Sequence, residues 1–242
     1  MPFPKLVVFD MAGTTVRDEH EVEVCFAEAA AATGLLATPA RILAAQGQAK
    51  RAVFEQLWQE QLGDLPATEL ATRVEHSYQV FREVLEAHYR QADVQPTAGC
   101  LDLFVFLKSQ GVRIALTTGF YRTVTDLILQ RLGWDLGLDA RRRGNRDAII
   151  DLSIASDEVP AGRPAPLMIQ RAMQELAITN PAHVWNVGDT PSDLESGRRA
   201  GVRSLGVVNG THTRAQLAAC PNDGLLASLT ELHQQLQGVL VA

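Results

Sequence analysis

Five short β-type runs recur along the chain, at 5–9 (KLVVF), 112–117 (VRIALT), 148–155 (AIIDLSIA), 183–188 (HVWNVG) and 204–208 (SLGVV). Between the later runs the apolar residues repeat with a helical period. Val124, Leu127, Ile128 and Leu132 share one face of 121–132, and Leu167, Ala172, Met173 and Leu176 do much the same in 166–176. Strands separated by helices cannot pair as tight hairpins. Each returns by a crossover, and the result is a doubly wound parallel sheet with helices on both faces. The expected fold class is therefore α/β, with function concentrated at the C-terminal edge of the strands.

Residues 18–94 break this alternation. They are rich in Ala, Glu and Gln and hold no convincing strand. Thr38-Pro39 reads as an N-cap followed by the first helical position, Gly47 as a helix stop, and 66–91 as a long helix starting after Pro66. The expectation is a helical cap over 18–94, inserted into a core made of 1–17 and 95–242. Gly and Pro in QPTAG, at 95–99, return the chain to the core. The basic stretch 141–147 (RRRGNRD) reads as a solvated loop.

Several function classes are excluded by composition. A formal net charge of -6 argues against nucleic acid, whose partners usually carry a basic face. No apolar run approaches the ~18 residues of a membrane span, and MPFPKLVVFD lacks the layout of a signal peptide. Cys25, Cys100 and Cys220 are scattered without a CxxC pair, as expected of idle thiols in the cytoplasm. The histidines show no zinc-ligand spacing.

Four pieces fall where parallel strands should end: Asp10 with Gly13 and Thr14 behind it, Thr117-Thr118-Gly119, Arg163 in VPAGRPAP, and Gly188-Asp189-Thr190 followed by Asp193. Each alone is weak, since an Asp at a strand end often caps a turn or helix. In order they fit one task. Asp10 can attack phosphorus and form an aspartyl-phosphate. Asp10 and Asp189 can share one Mg²⁺. Amides of the Gly13 turn, the Thr117 hydroxyl and the Arg163 fork can hold phosphoryl oxygens. Asp193 either caps the next helix or joins the metal set. An acid that protonates a leaving oxygen would be expected two residues after Asp10, and that position holds Ala12.

The ordered set FDxxGTT, LTTG, GRP and GDTxSD resembles the haloacid-dehalogenase superfamily along the whole chain. With Ala12 in the first motif and Arg163 in the third, it is similar to the phosphonoacetaldehyde hydrolases (phosphonatases). TTGF, DEVPAGRPAP and VGDTPSDLESGRRAG carry that likeness. The resemblance implies that a cap lysine three residues after a glycine forms a Schiff base with an aldehyde substrate. Gly47-Gln48-Ala49-Lys50 supplies that arrangement, with Gln46 and Gly47 beside the substrate. It also implies that the Ala12 carbonyl is a Mg²⁺ ligand with Asp10, Asp189 and Asp193, that Thr14, Thr118 and Gly119 contact substrate, and that subunits pair through their caps. Composition adds weight to Lys50. Of 22 lysines and arginines only Lys5, Lys50 and Lys108 are lysines, and only an amine condenses with a carbonyl.

The missing acid then has a reason. When a C–P bond breaks, carbon departs and needs an electron sink, which an iminium on Lys50 supplies. The chain departs from the phosphonatase pattern at Met11 (usually Trp), Gln46 (usually Met) and Val53 (usually His). These changes keep the reaction type and point to a related 2-oxoalkylphosphonate. A phosphatase of small monoesters such as phosphoglycolate is the alternative on the same fold, and a non-catalytic phospho-ligand sensor a more distant one.

Overall fold

The structure, a computed structural model, describes residues 3–63 and 66–241; residues 1–2 and 242 of the expected core and 64–65 of the expected cap lie outside it. In chain order the elements begin β1 (Leu6–Asp10), α1 (Glu21–Ala32), α2 (Pro39–Ala44), α3 (Lys50–Leu62), α4 (Ala67–Gln91), α5 (Cys100–Ser109), β2 (Arg113–Thr117) and α6 (Arg122–Leu132). They continue with β3 (Leu152–Ile154), α7 (Leu167–Glu175), β4 (Val184–Gly188), α8 (Pro191–Ala200), β5 (Arg203–Val207), α9 (Arg214–Ala218), β6 (Leu225–Leu226) and α10 (Leu229–Val241). The six strands form one sheet in the order β3-β2-β1-β4-β5-β6. Every pairing is parallel.

The period-2 alternation of β1 explains the two-sided burial. Leu6 and Val8 join Ala115, Leu152 and Ile154 in a cluster closed by Met168, Ile169 and Ala172 of α7. Val7 and Phe9 belong to the other cluster, with Ile114, Leu116 and the α5 residues Leu103, Phe104 and Leu107. β1 is central, and its neighbours β2 and β4 lead the chain to opposite sides of it. Its C-terminal end is thus the switch point where a crevice opens.

The expected strand over 148–155 shrinks to Leu152–Ile154. Asn145 Oδ1 accepts the N–H groups of Asp147 (2.9 Å) and Ala148 (3.1 Å), which folds the preceding residues into a turn. The Asp151 carboxylate then takes the Ile114 N–H at 2.8 Å and the Arg113 guanidinium at 2.7 Å. In the basic loop, Arg142 forks onto Asp126 at 2.9 and 2.6 Å, and Arg143 pairs with Glu175.

α1 to α4 all fall between β1 and α5 and pack on one another. Phe26 of α1 stacks on Phe54 of α3 at 4.3 Å, and Phe81 of α4 meets both at 5.8 and 5.9 Å. Trp58 donates its indole N–H to Ser77 at 2.9 Å, so the polar tip of a buried aromatic is satisfied. Thr38 caps α2 by accepting the Arg41 N–H, with Pro39 in the first turn. Among the described residues no helix is long and apolar enough to cross a membrane.

Candidate active site

Asp10 is the last residue of β1 and lies opposite Thr117, the last of β2. Beyond Asp10 the chain winds tightly. The Met11 carbonyl accepts the N–H groups of Thr14, Thr15 and Val16 at 3.1, 2.9 and 2.8 Å. Gly13 sits at φ +85°, and a Cβ there would lie 2.5 Å from Asp189 Oδ2, so only glycine fits. This winding corrects one expectation. The Gly13 N–H is spent on the Val16 carbonyl (2.8 Å) and the Thr14 N–H on Met11, so neither amide is free for a phosphoryl oxygen. The Thr14 hydroxyl instead donates to Asp189 Oδ1 at 3.2 Å.

Asp10, Asp189 and Asp193 are buried, with carboxylate oxygens all within 4.8 Å of one another. Arg163, also buried, bridges Asp10 and Asp193. Its Nη1 lies 2.6 Å from both Asp10 Oδ1 and Asp193 Oδ1, and its Nη2 donates to the Thr117 hydroxyl at 3.0 Å. Asp193 Oδ2 accepts the Thr190 N–H (3.1 Å) and hydroxyl (2.6 Å), completing the capping box of α8. Both oxygens of Asp193 are therefore engaged, which suits helix capping and the orientation of Arg163. Asp189 Oδ2 accepts the Thr211 N–H at 2.9 Å and hydroxyl at 3.1 Å.

Three carboxylates share one guanidinium, so full ionisation would leave two negative charges buried. Burial raises Asp10 well above the ordinary carboxylate range; Arg163 pulls it down, while Asp193 and Asp189 push it up. Burial, then Asp193, raises Asp189 to about 6 against the donors from Thr211 and Thr14. A divalent cation would offset this excess, and oxygen donors of this kind suit Mg²⁺. The residues therefore fit the metal expected from sequence.

Lys50 opens α3 and is buried. Its Nζ lies 3.3 Å from Gln46 Oε1 and 3.4 Å from the Ala45 carbonyl, and among the described residues it forms no ion pair. Burial lowers its pKa to about 8; the charges of Asp18 and Asp10 pull it up and that of Arg163 presses it down. Gln46 Nε2 beside it is buried without a hydrogen-bond partner among the described residues. An unpaired buried donor of this kind marks a place where a ligand group is wanted.

Lys50 reaches the core because the loop before it is seated on core loops. A Cβ on Gly47 (φ +75°) would come 2.4 Å from the Thr190 hydroxyl, one on Gly119 2.9 Å from the Gln48 carbonyl, and one on Gly162 3.1 Å from Ala49 Cβ. The cavity between them, about 30 Å³, is lined by Asp10, Ala12, Asp18, Gln46, Lys50 and Thr118 among others. That is room for roughly two waters.

The structure thus brings Asp10, Ala12, Gln46, Gly47, Lys50, Thr118 and Gly119 to one cavity, with Thr117, Arg163, Asp189 and Asp193 joined to Asp10 by direct bonds or proximity. Two residues at this site escaped sequence reasoning. Thr211 follows β5, and its strand-end position was the available signal. Asp18 lies in the charged run RDEHE, where nothing local sets it apart from its neighbours.

Comparison with known proteins follows this geometry. A family model described as haloacid dehalogenase-like hydrolase matches residues 4–201. The phosphonoacetaldehyde hydrolase of Bacillus cytotoxicus is 32% identical over 216 residues, covering 85% of this chain and 76% of the relative. That of Bacillus cereus strain G9842 is 29% identical over 219 residues, with coverage of 85% and 76%. Among solved structures, a hydrolase from Pseudomonas syringae superposes with a TM-score of 0.77 at 17% identity, covering 97% of this chain and 99% of that one. A phosphonoacetaldehyde hydrolase-like protein from Oleispira antarctica gives a TM-score of 0.74 at 17% identity, covering 99% and 95%. At such identities the two structures speak to the fold alone.

Proposed function

The chain belongs to the haloacid dehalogenase-like hydrolases, and from that premise we propose that it cleaves the C–P bond of a 2-oxoalkylphosphonate, phosphonoacetaldehyde or a close relative. The observation that carries this reading is Lys50: a buried amine without an ion-pair partner among the described residues, lining the same cavity as Asp10, with Ala12 where a proton donor for an ester oxygen would sit.

The steps follow from these groups. The neutral Lys50 amine adds to the substrate carbonyl, and the carbinolamine takes up one proton from solvent and loses its hydroxyl as water, giving an iminium. Asp10 attacks phosphorus, and the C–P bonding pair moves into the iminium to give an enamine. Arg163 holds Asp10 Oδ1, which leaves Oδ2 as the attacking oxygen and fixes the carboxylate's orientation. Water then hydrolyses the aspartyl-phosphate, and the enamine takes a proton at carbon before the imine is hydrolysed. The Gln46 Nε2 donor is available to a polar group of the substrate. Asp10, Asp189 and the Ala12 carbonyl would hold Mg²⁺, with Asp193 beside them. The ion supplies positive charge that offsets repulsion between Asp10 and the phosphoryl group.

The test is phosphate release from phosphonoacetaldehyde measured beside phosphoglycolate. The expected result is rapid release from the phosphonate and little from the ester. Turnover of phosphoglycolate alone would replace this reading with a phosphatase. Excess chelator is expected to bring phosphate release to background, and added Mg²⁺ to restore it, because two uncompensated charges then surround the nucleophile. Undiminished turnover in chelator would remove the metal from the mechanism.

Closure of the Gly119 seam is a further check. Gly119→Ala adds a methyl group 2.9 and 3.0 Å from two backbone carbonyls of the cap loop, which no rotamer change relieves. A lift of about 1 Å should lower kcat/KM by about 100-fold while the fold persists. Unaltered kinetics would show that this contact is not needed in the productive state.

A further inference from the structure

Three titratable side chains line this cavity: Asp10, Asp18 and Lys50. Two are already occupied in the proposed reaction. Asp10 is bonded to Arg163 and attacks phosphorus, and Lys50 becomes the imine nitrogen. Two cavity hydroxyls donate elsewhere, Thr190 to Asp193 and Thr211 to Asp189, and the Thr118 hydroxyl, which accepts the Phe120 N–H, is an alcohol and too weak an acid for the step. Yet an enamine has to gain a proton at carbon, and water adding to the resulting iminium has to lose one.

Resting on the phosphonate reading, we infer that Asp18 is the acid–base residue of this cavity, donating a proton to the enamine carbon and then accepting one from the water that opens the imine. Asp18 sits between β1 and α1, on the chain leading into the cap. It is fixed there because its Oδ1 accepts the Glu21 N–H at 3.0 Å, at the first turn of α1. Arg17 beside it is pinned by its N–H to the Gln95 carbonyl at 2.9 Å, so the carboxyl is anchored on both sides. Once ionised, Asp18 acts on the Lys50 amine more strongly than Asp10 does, which places the two groups close together across the cavity. Burial, the hydrogen bond to the Glu21 side-chain carboxylate, and the charges of Glu21 and Asp189 raise Asp18 to about 8, against the Glu21 N–H, which favours the ionised form. At neutral pH it therefore carries the proton that the first step needs.

The step balances. The enamine C=C pair forms the new C–H bond with the Asp18 proton, the nitrogen lone pair forms C=N⁺, and Asp18 is left as carboxylate. Water adds to the iminium carbon and its proton returns to Asp18. The carbinolamine collapses with transfer of its hydroxyl proton to nitrogen, releasing aldehyde and the neutral Lys50 amine.

Acetaldehyde, the organic product expected from phosphonoacetaldehyde, isolates this half-reaction. In D₂O the enzyme should exchange its methyl protons above the uncatalysed rate, read by NMR, because imine and enamine interconvert at Lys50. Borohydride should fix an ethyl group on Lys50, read by mass spectrometry. Asp18→Asn and Asp18→Ser both keep an acceptor for the Glu21 N–H, so α1 keeps its cap. In both variants exchange should fall by about 100-fold or more while the borohydride adduct persists. Exchange at the wild-type rate with the adduct present would overturn the role of Asp18. Loss of the adduct in both variants would overturn it too, since Asp18 would then act before the imine forms. No adduct in the wild-type enzyme would instead overturn the Schiff base itself.

Discussion

Lys50→Arg is expected to lose phosphate release from phosphonoacetaldehyde by at least about 10³-fold and to lose the borohydride adduct entirely. The reason is chemical rather than steric. An ordinary lysine titrates near 10.5, and Lys50 is brought down to about 8. At pH 7 that raises the neutral, nucleophilic fraction from about 0.03% to about a tenth. A guanidinium stays protonated at any accessible pH and cannot condense with a carbonyl. Arginine still finds acceptors in Gln46 Oε1 and the Ala45 carbonyl, so charge and hydrogen bonding survive while the reaction does not. The pH dependence carries the same sign. Imine formation by the wild-type enzyme should rise with pH through about 8 and level off above it, because the deprotonated amine is the reactive form. A variant that still cleaves the phosphonate without an adduct would hand the chemistry to Asp10 alone.

The parts of this site that were legible in sequence share a cause: they lie at strand ends, where a period-2 apolar run announces its own termination. Asp10, Thr117 and Gly188-Asp189 follow such runs, and the structure aligns them along one edge. Lys50 was legible by scarcity and by its place after Gly47, in a chain that otherwise uses arginine. What escaped depends on long-range packing. The two residues of β6 are too few to carry a period. Residues 148–151 are apolar enough for a strand, but the Asn145 side chain holds their start in a turn. The amides of the Gly13 turn looked free because residue types alone do not reveal that the Val16 carbonyl takes the Gly13 N–H and the Met11 carbonyl that of Thr14. Asp18 sits among charges, and the residues that shield it, from Gln46 to Thr211, are distant in sequence.

Asp10→Asn is expected to abolish turnover to background while leaving the protein folded, and the state of the metal should separate the two effects. The amide is isosteric, and its oxygen can still accept from Arg163 Nη1, now 2.6 Å from Asp10 Oδ1. It cannot form an acyl-phosphate by simple attack, so the loss belongs to the chemical step. In chelator the variant should be at least as thermally stable as the wild type. Burial and the neighbouring Asp193 and Asp189 charges raise the Asp10 pKa above 3.8, so its ionisation costs stability as pH rises through that range, and asparagine removes the charge. With Mg²⁺ the order should reverse. Ligand binding stabilises the native state by RT ln(1 + [L]/Kd), a gain the wild type collects in full and the variant, short of one anionic ligand, collects weakly. Thermal midpoints of both proteins, with and without Mg²⁺, measure this directly. A variant that is inactive and also unstable in chelator would make Asp10 structural, and a variant with full activity would remove it as the nucleophile.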